Sequence, residues 1–234
     1  MSKLVIIGDS FVLPVYYSKN YNIDSDYWVN VLTQFDMFKD KELYVDGRGG
    51  RDVQTIIDNW IKVLPILNED DFLIIAIPFF KRTRIPIKKY DKEFSKIGII
   101  NRFIGTSSWT NHVQIFDFMD CELTFENLIK KMETQELINS SEQSQENYIE
   151  IISSLKKITK SNICVFSWAD INYDNNVIED KKILEFKIGK FETLSDLWVK
   201  TNGEYGVKND SHWSYDYNVK FAKYLNDKFN KKLL

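Results

Sequence analysis

Leu4-Val5-Ile6-Ile7-Gly8-Asp9-Ser10 is the stretch on which the reading of the chain turns. Four consecutive apolar residues, mostly β-branched, stop at Gly-Asp-Ser. A short apolar run without alternation, closed by a turn signal, reads as a strand buried on both faces of a parallel sheet. In open α/β sheets, ligands bind in the crevice beyond the carboxyl ends of the strands. Ser10 therefore stands where such folds keep their chemistry. Gly8 permits a sharp backbone turn, and the Asp9 carboxylate can hold that turn by accepting from a nearby N–H. The same three residues also make an ordinary strand-ending turn, and the far end of the chain is needed to choose between the two.

Three further runs read as strands: Glu42-Leu43-Tyr44-Val45-Asp46, Asp71 to Ile77, and Asn162 to Trp168. Helical stripes lie between and after them. The first is Trp28, Val29, Val31, Leu32 and Phe35, with Ser25 or Asp26 as cap. The second is Val53, Ile56, Ile57, Trp60, Ile61 and Leu64. A third, Tyr148, Ile151, Ile152 and Leu155, follows a break near Asn139-Ser140-Ser141, and a fourth runs through Val219, Phe221, Ala222, Leu225 and Phe229. Strands alternating with helices imply a three-layer α/β/α sandwich with a mainly parallel sheet, here as a single domain over 1–234. Phe11 to Tyr17 is irregular and suits the mouth of a pocket. Residues 85–125, aromatic-rich with mixed charge, are expected to form an irregular insertion or lid. Residues 170–200 form a second irregular region, with a short strand near Ile183 to Ile188.

A hydrophobic content of 44% with 15% aromatics supplies ample core for 234 residues. The net charge of -3 gives no reason to expect nucleic acid as a partner. Cys121 and Cys164 are far apart and lack metal-ligand spacing, which suits reduced core thiols. The first strand begins at Lys3, and no apolar run reaches membrane-spanning length. A soluble cytoplasmic protein with no membrane partner is therefore expected, and a virus or phage product made in the cytosol fits equally.

A serine becomes a nucleophile when a base takes its proton, and histidine is the usual base near neutral pH. The chain holds two histidines. His112 lies in the irregular region with no carboxylate placed to orient it, and reads as an ordinary polar residue. His212 follows Asp210 just ahead of the last helix. In Asp-x-His the carboxylate can reach Nδ1–H, leaving Nε2 to accept the Ser10 proton. The competing reading is a surface loop in which Asp210 and Ser211 cap that helix. After the second strand, Gly47-Arg48-Gly49-Gly50-Arg51-Asp52 leads into a helix, which turns backbone N–H groups and the positive end of the helix dipole toward the top of the sheet. Its spacing matches neither a dinucleotide fingerprint nor a P-loop, and a plain flexible turn explains it too.

Gly8-Asp9-Ser10 near the start, the glycine bend after strand two and Asp210-Ser211-His212-Trp213 before the final helix together resemble the SGNH/GDSL hydrolase superfamily. The order and spacing of these blocks cover the whole chain. The resemblance implies a flavodoxin-like sheet and ester hydrolysis through a Ser-His-Asp triad. Carried over by position, Ser10 is the nucleophile, His212 the general base and Asp210 the orienting acid. Gly50 matches the oxyanion glycine, with Gly49 as the neighbouring register, and the Ser10 N–H is a further donor.

Two departures stand out. The family's usual Asp-x-x-His would place Asn209, not an acid, before the base. Asp210-x-His212-Trp213 instead resembles branches that include polysaccharide O-acetyltransferase-like enzymes. The family's third block, Gly-x-Asn-Asp, is replaced by Ile77-Pro78-Phe79-Phe80-Lys81-Arg82, so its oxyanion Asn is missing. Arg82 resembles an arginine that divergent members carry at this point, where a guanidinium would stabilise an alkoxide or bind an anionic group. A solvated basic stretch with Lys81 and Arg84 is the other explanation.

The expected function is a serine esterase acting on a small-molecule or carbohydrate ester, an O-acetyl sugar being one such substrate. Acyl transfer on the same fold, or a catalytically weak binding or structural protein, are the alternatives. Trp109, Tyr90 and Phe103 could stack on a sugar or line an acyl pocket, and core packing accounts for them equally. Neither a cofactor nor a metal is implied.

Overall fold

The four apolar runs form the strands of one parallel sheet. The computed structural model describes residues 1–13, 27–47, 51–78, 83–87, 113–117, 142–167, 192–208 and 212–233. The strands are β1 (Lys3–Gly8), β2 (Glu42–Gly47), β3 (Phe72–Ile77), β4 (Thr83–Ile87), β5 (Val113–Asp117) and β6 (Asn162–Ser167). The helices are α1 (Trp28–Leu32), α2 (Val53–Val63), α3 (Glu142–Ile158), α4 (Leu194–Lys200) and α5 (Tyr215–Leu233). β1 pairs in parallel with β2 on one side (Leu4 opposite Leu43) and with β3 on the other (Leu4 opposite Phe72). β6 lies beyond β3, giving the order β2-β1-β3-β6. This is the flavodoxin-like order, in which the winding direction reverses at β1 and β3 and opens a crevice at their carboxyl ends.

Side-chain alternation divides the core in two. Leu4 and Ile6 of β1, Phe72, Ile74 and Ala76 of β3, and Cys164 and Phe166 of β6 face a layer containing α1 and α5. Val5 and Ile7, Leu73, Ile75 and Ile77, and Val165 face α2 and α3. Strands covered on both faces need no polar alternation, which is why these segments read as continuous apolar runs. β2 lies at the edge of the four-stranded sheet, and its Leu43 and Tyr44 are exposed.

The strands' amino ends are tied by one residue. Buried Asp71 accepts from the backbone N–H of Lys3 at 2.6 Å and of Asn68 at 2.7 Å, while its carbonyl accepts from Asn162 N–H at 2.9 Å. These bonds fasten the starts of β1, β3 and β6 together at the end opposite the crevice.

Several expectations change. α1 is only five residues long and is capped by the backbone of Tyr27 with no side-chain cap; Ser25 and Asp26 lie outside the described residues. Burial of Trp28, Val29 and Leu32 against α5 holds it instead. In α2, Ile61 is exposed and Val63 takes its place in the buried stripe. The stretch expected to be irregular over 170–200 ends in α4, with Thr193 and Asp196 forming a reciprocal capping box. That Thr-x-x-Asp spacing is the polar signal that marks a helix start where no long apolar stripe follows. The stretch 85–125 takes part in two short parallel strands, β4 and β5, with Ile85 opposite Ile115. Pro86 interrupts the alternation that would have announced the first of them. The strand expected near Ile183 to Ile188 lies outside the described residues.

Candidate functional site

The chain leaves β1 at Gly8 and makes one 3-10 turn, Ser10–Val12. Asp9 caps it: the buried carboxylate accepts from Phe11 N–H at 3.1 Å. The Val12 N–H donates to the Asp9 carbonyl at 3.3 Å and the Leu13 N–H to the Ser10 carbonyl at 3.2 Å. Asp9, Phe11 and Val12 are buried, whereas Ser10 is partly open. Phe11 and Val12 thus pack inward rather than lining a pocket mouth.

Gly8 serves a purpose other than the conformational freedom expected of it. Its φ is not among the positive values of the described glycines, which belong to Gly203 and Gly206. What it supplies is space. A Cβ there would lie 2.7 Å from Val12 Cγ1 and 2.8 Å from Ala76 Cβ. Gly47, at the end of β2, faces the same Val12 side chain, which folds back over both strand ends. Because Ala76 belongs to the adjacent strand and cannot rotate away, Gly8→Ala is expected to cost about 1–3 kcal/mol, the usual range for overpacking. A urea titration checks this, and an unchanged midpoint would refute it.

Arg51 is a site residue that the sequence reasoning missed. Its guanidinium donates to the Asp46 carbonyl at 2.7 Å, to the Gly8 carbonyl at 3.3 Å and to the Asp46 carboxylate at 2.5 Å. It therefore latches the ends of β1 and β2 from the far side of the glycine bend. The available signal was an acid and an arginine flanking that bend, Asp46 and Arg51. Just after Arg51, Asp52 caps α2 by accepting from Thr55 N–H at 2.6 Å.

His212 comes to this same place from the other end of the chain. Its ring stacks on Phe11, with centroids 4.8 Å apart and planes inclined by 27°. Trp213 meets the same Phe11 ring edge-on at 5.3 Å. The segment is held by pairing with the lead-in to α4. Leu194 N–H donates to the His212 carbonyl at 2.8 Å, Ser214 N–H donates to the Glu192 carbonyl at 2.9 Å, and Thr193 and Trp213 form an antiparallel bridge. The structure thus brings the His212 ring against the residue that follows Ser10. Asp210, Gly49, Gly50 and Arg82 lie outside the described residues, as do Asn209, His112, Cys121, Tyr90, Phe103 and Trp109. Cys164 is buried. Among the described residues, no group of His, Cys, Asp and Glu side chains is arranged to hold a metal, and no helix is long and apolar enough to cross a membrane.

Tyr217, in the first turn of α5, packs edge-on against Trp213 at 5.3 Å. Burial disfavours its phenolate and pushes its pKa up from 10.0 to about 12. The folded chain therefore holds this proton more tightly than the unfolded chain. The resulting stabilisation is complete below about pH 10 and is lost as pH rises through about 12. Unfolding free energy measured across that window should fall less steeply in Tyr217→Phe than in the wild type; equal slopes would remove the assignment.

No family model and no curated protein sequence matches the chain. Solved structures that align with the chain include two distant ones. Protein YXIM_BACsu from Bacillus subtilis aligns at 12% identity and a TM-score of 0.49, over 100% of this chain and 57% of its own length. A Desulfitobacterium hafniense DCB-2 protein, whose name places it in the lipolytic G-D-S-L family, aligns at 15% identity and a TM-score of 0.35, over 96% of this chain and 98% of its own. The chain thus spans little more than half, 57%, of the first of these proteins. Likenesses this distant say nothing of activity.

Proposed function

We propose that the protein is a serine esterase that forms an acyl-enzyme on Ser10. The observation that carries this reading is the Phe11–His212 stack, which sets an imidazole against the ring of the residue that follows a partly open serine, at the carboxyl end of β1 in a doubly wound sheet. A serine-bearing turn and an imidazole-bearing segment brought together through Phe11 from opposite ends of the chain, at the place where such folds bind ligands, support nucleophilic catalysis over an ordinary strand-ending turn and helix cap.

Ser10 Oγ attacks the ester carbonyl carbon while His212 takes its proton. The tetrahedral oxyanion is met by the Ser10 N–H, by the backbone of Gly50 or Gly49, and by Arg82. Collapse breaks the ester C–O bond, and the imidazolium returns the proton to the departing alcohol. Water, deprotonated by His212, then attacks the acyl carbonyl and releases Ser10. Asp210 orients the imidazole and stabilises its cation. The resemblance of Asp210-x-His212-Trp213 to O-acetyltransferase-like branches supports short acyl groups on carbohydrate as substrate. A sugar hydroxyl in place of water would give transfer from the same intermediate.

The test is incubation with a fluorophosphonate and with p-nitrophenyl acetate, followed by peptide mapping. Covalent mass on the Ser10 peptide, with ester hydrolysis lost in Ser10→Ala and in His212→Gln, is the expected result. Failure to label across several acyl and phosphonate chain lengths would leave a binding protein.

A further inference from the structure

We propose that Phe11 is a positioning residue for the reaction at Ser10, its ring fixing the His212 imidazole against the nucleophile's turn; this rests on the esterase reading of Ser10 and His212. Phe11 is held through both its backbone groups and its ring. Its N–H donates to the Asp9 carboxylate at 3.1 Å, and its carbonyl accepts from the Trp28 indole N–H at 2.7 Å. Its ring meets His212 at 4.8 Å and Trp213 at 5.3 Å.

Trp28 extends the clamp. Its backbone N–H donates to Asn218 Oδ1 at 3.4 Å, across 190 positions of sequence. Asn218 Nδ2 in turn donates to the carbonyl of Ser214 at 3.1 Å and of Trp213 at 3.4 Å. From Phe11 through Trp28, Asn218 and Trp213 the interactions close on Phe11 again. Every member is buried: Phe11 is 7% exposed, Trp28 0%, Asn218 4% and Trp213 2%.

This circuit joins the two segments that a Ser-His mechanism must keep in register. One segment follows β1 and carries Ser10. The other precedes α5 and carries His212. A buried asparagine that loses its hydration is retained only where its amide meets fixed partners. Here those partners are the first N–H of α1 and the carbonyls of the two residues that follow His212. A general base works at full rate only when its ring is already in place, and misplacement by about an ångström can cost on the order of 100-fold. A flat ring, itself immobile, restricts an imidazole in a way that a leucine of similar apolarity does not.

The experiment compares wild type, Phe11→Leu, Phe11→Tyr and Trp28→Phe by thermal melting, by the rate of fluorophosphonate labelling at Ser10, and by kcat and KM for p-nitrophenyl acetate. Phe11→Leu is expected to lower kcat and the labelling rate by roughly 10- to 100-fold with KM changed by no more than about twofold. Phe11→Tyr, which keeps the flat ring, should recover most of that loss. Trp28→Phe deletes one donor and keeps an aromatic ring; it should act in the same direction, and it decides the matter if Phe11→Leu does not fold. In proton NMR, the imidazole signal that disappears in His212→Gln should carry a ring-current shift that Phe11→Leu abolishes. A folded Phe11→Leu or Trp28→Phe protein with wild-type kcat and labelling overturns the positioning role while leaving the esterase standing. A wild type that never labels at Ser10 removes the esterase, and the positioning role with it.

Discussion

Ser10→Ala is expected to abolish fluorophosphonate labelling and to reduce ester hydrolysis by on the order of 10⁴–10⁶, with little change in thermal stability. The size follows from the way nucleophile and base act as a unit: deleting either member forfeits most of what the pair supplies. The small structural effect follows from the local geometry. Ser10 is partly open, and its turn is held by Asp9, by backbone bonds and by Phe11 rather than by the serine hydroxyl. Removing one Oγ leaves those bonds intact. His212→Gln should match it in direction, because the amide can fill the space beside Phe11 and cannot take a proton at neutral pH. Melting curves with p-nitrophenyl acetate rates on the same samples check both. A Ser10→Ala protein that hydrolyses at the wild-type rate would mean that the chemistry, if any, lies elsewhere.

The largest effect on stability is expected from Trp60→Ala. Trp60 is fully buried between the sheet and the α2–α3 layer, and its indole N–H donates to Thr159 Oγ1 at 3.1 Å. Thr159 is itself tied to the Leu155 carbonyl at the end of α3, at 2.7 Å through its hydroxyl. Truncation deletes a large apolar volume and strips the threonine oxygen of its donor. Buried Trp→Ala substitutions cost about 3–5 kcal/mol, against a total of roughly 5–15 kcal/mol for a domain. Chemical denaturation should show that loss, and Trp60→Phe should recover part of it. The folded fraction should still label at Ser10 at the wild-type rate, since Trp60 packs on the opposite face of the sheet from Phe11 and His212. A labelling rate that falls with stability would contradict this separation of faces.

How much of this was legible in the sequence depends on which signals are local. β1, β3 and β6 were legible because burial on both faces leaves an unbroken run of apolar residues, and α2 because Val53, Ile56, Ile57 and Trp60 repeat at helical spacing. Ser10 and His212 could be picked out as candidates because nucleophilic catalysis draws on specific residue types and the chain holds two histidines. α4 was not, because a seven-residue helix with one buried side chain, Leu194, has no stripe to read, and only its capping box announces it. The need for glycine at position 8 was visible, yet its cause was not. The crowding comes from Ala76 on a neighbouring strand and from Val12 folding back, and neither is a local property. Trp28 was legible as a helical core residue, but the hydrogen bonds that Trp28 and Asn218 make were illegible for the same reason. Each acquires its part only from partners brought in by the fold, Asn218 from a residue 190 positions away.

The pairing of α1 with α5 on one side of the sheet carries a kinetic corollary. α2 and α3 cover strands that lie near them in the chain, so their side of the molecule closes comparatively short loops. α1 and α5 meet only after the chain has looped back on nearly its whole length, and the entropy of closing a loop grows with that length. The His212 imidazole arrives with α5, so the Phe11 ring in the turn after β1 gains its stacking partner only when this longest closure is made.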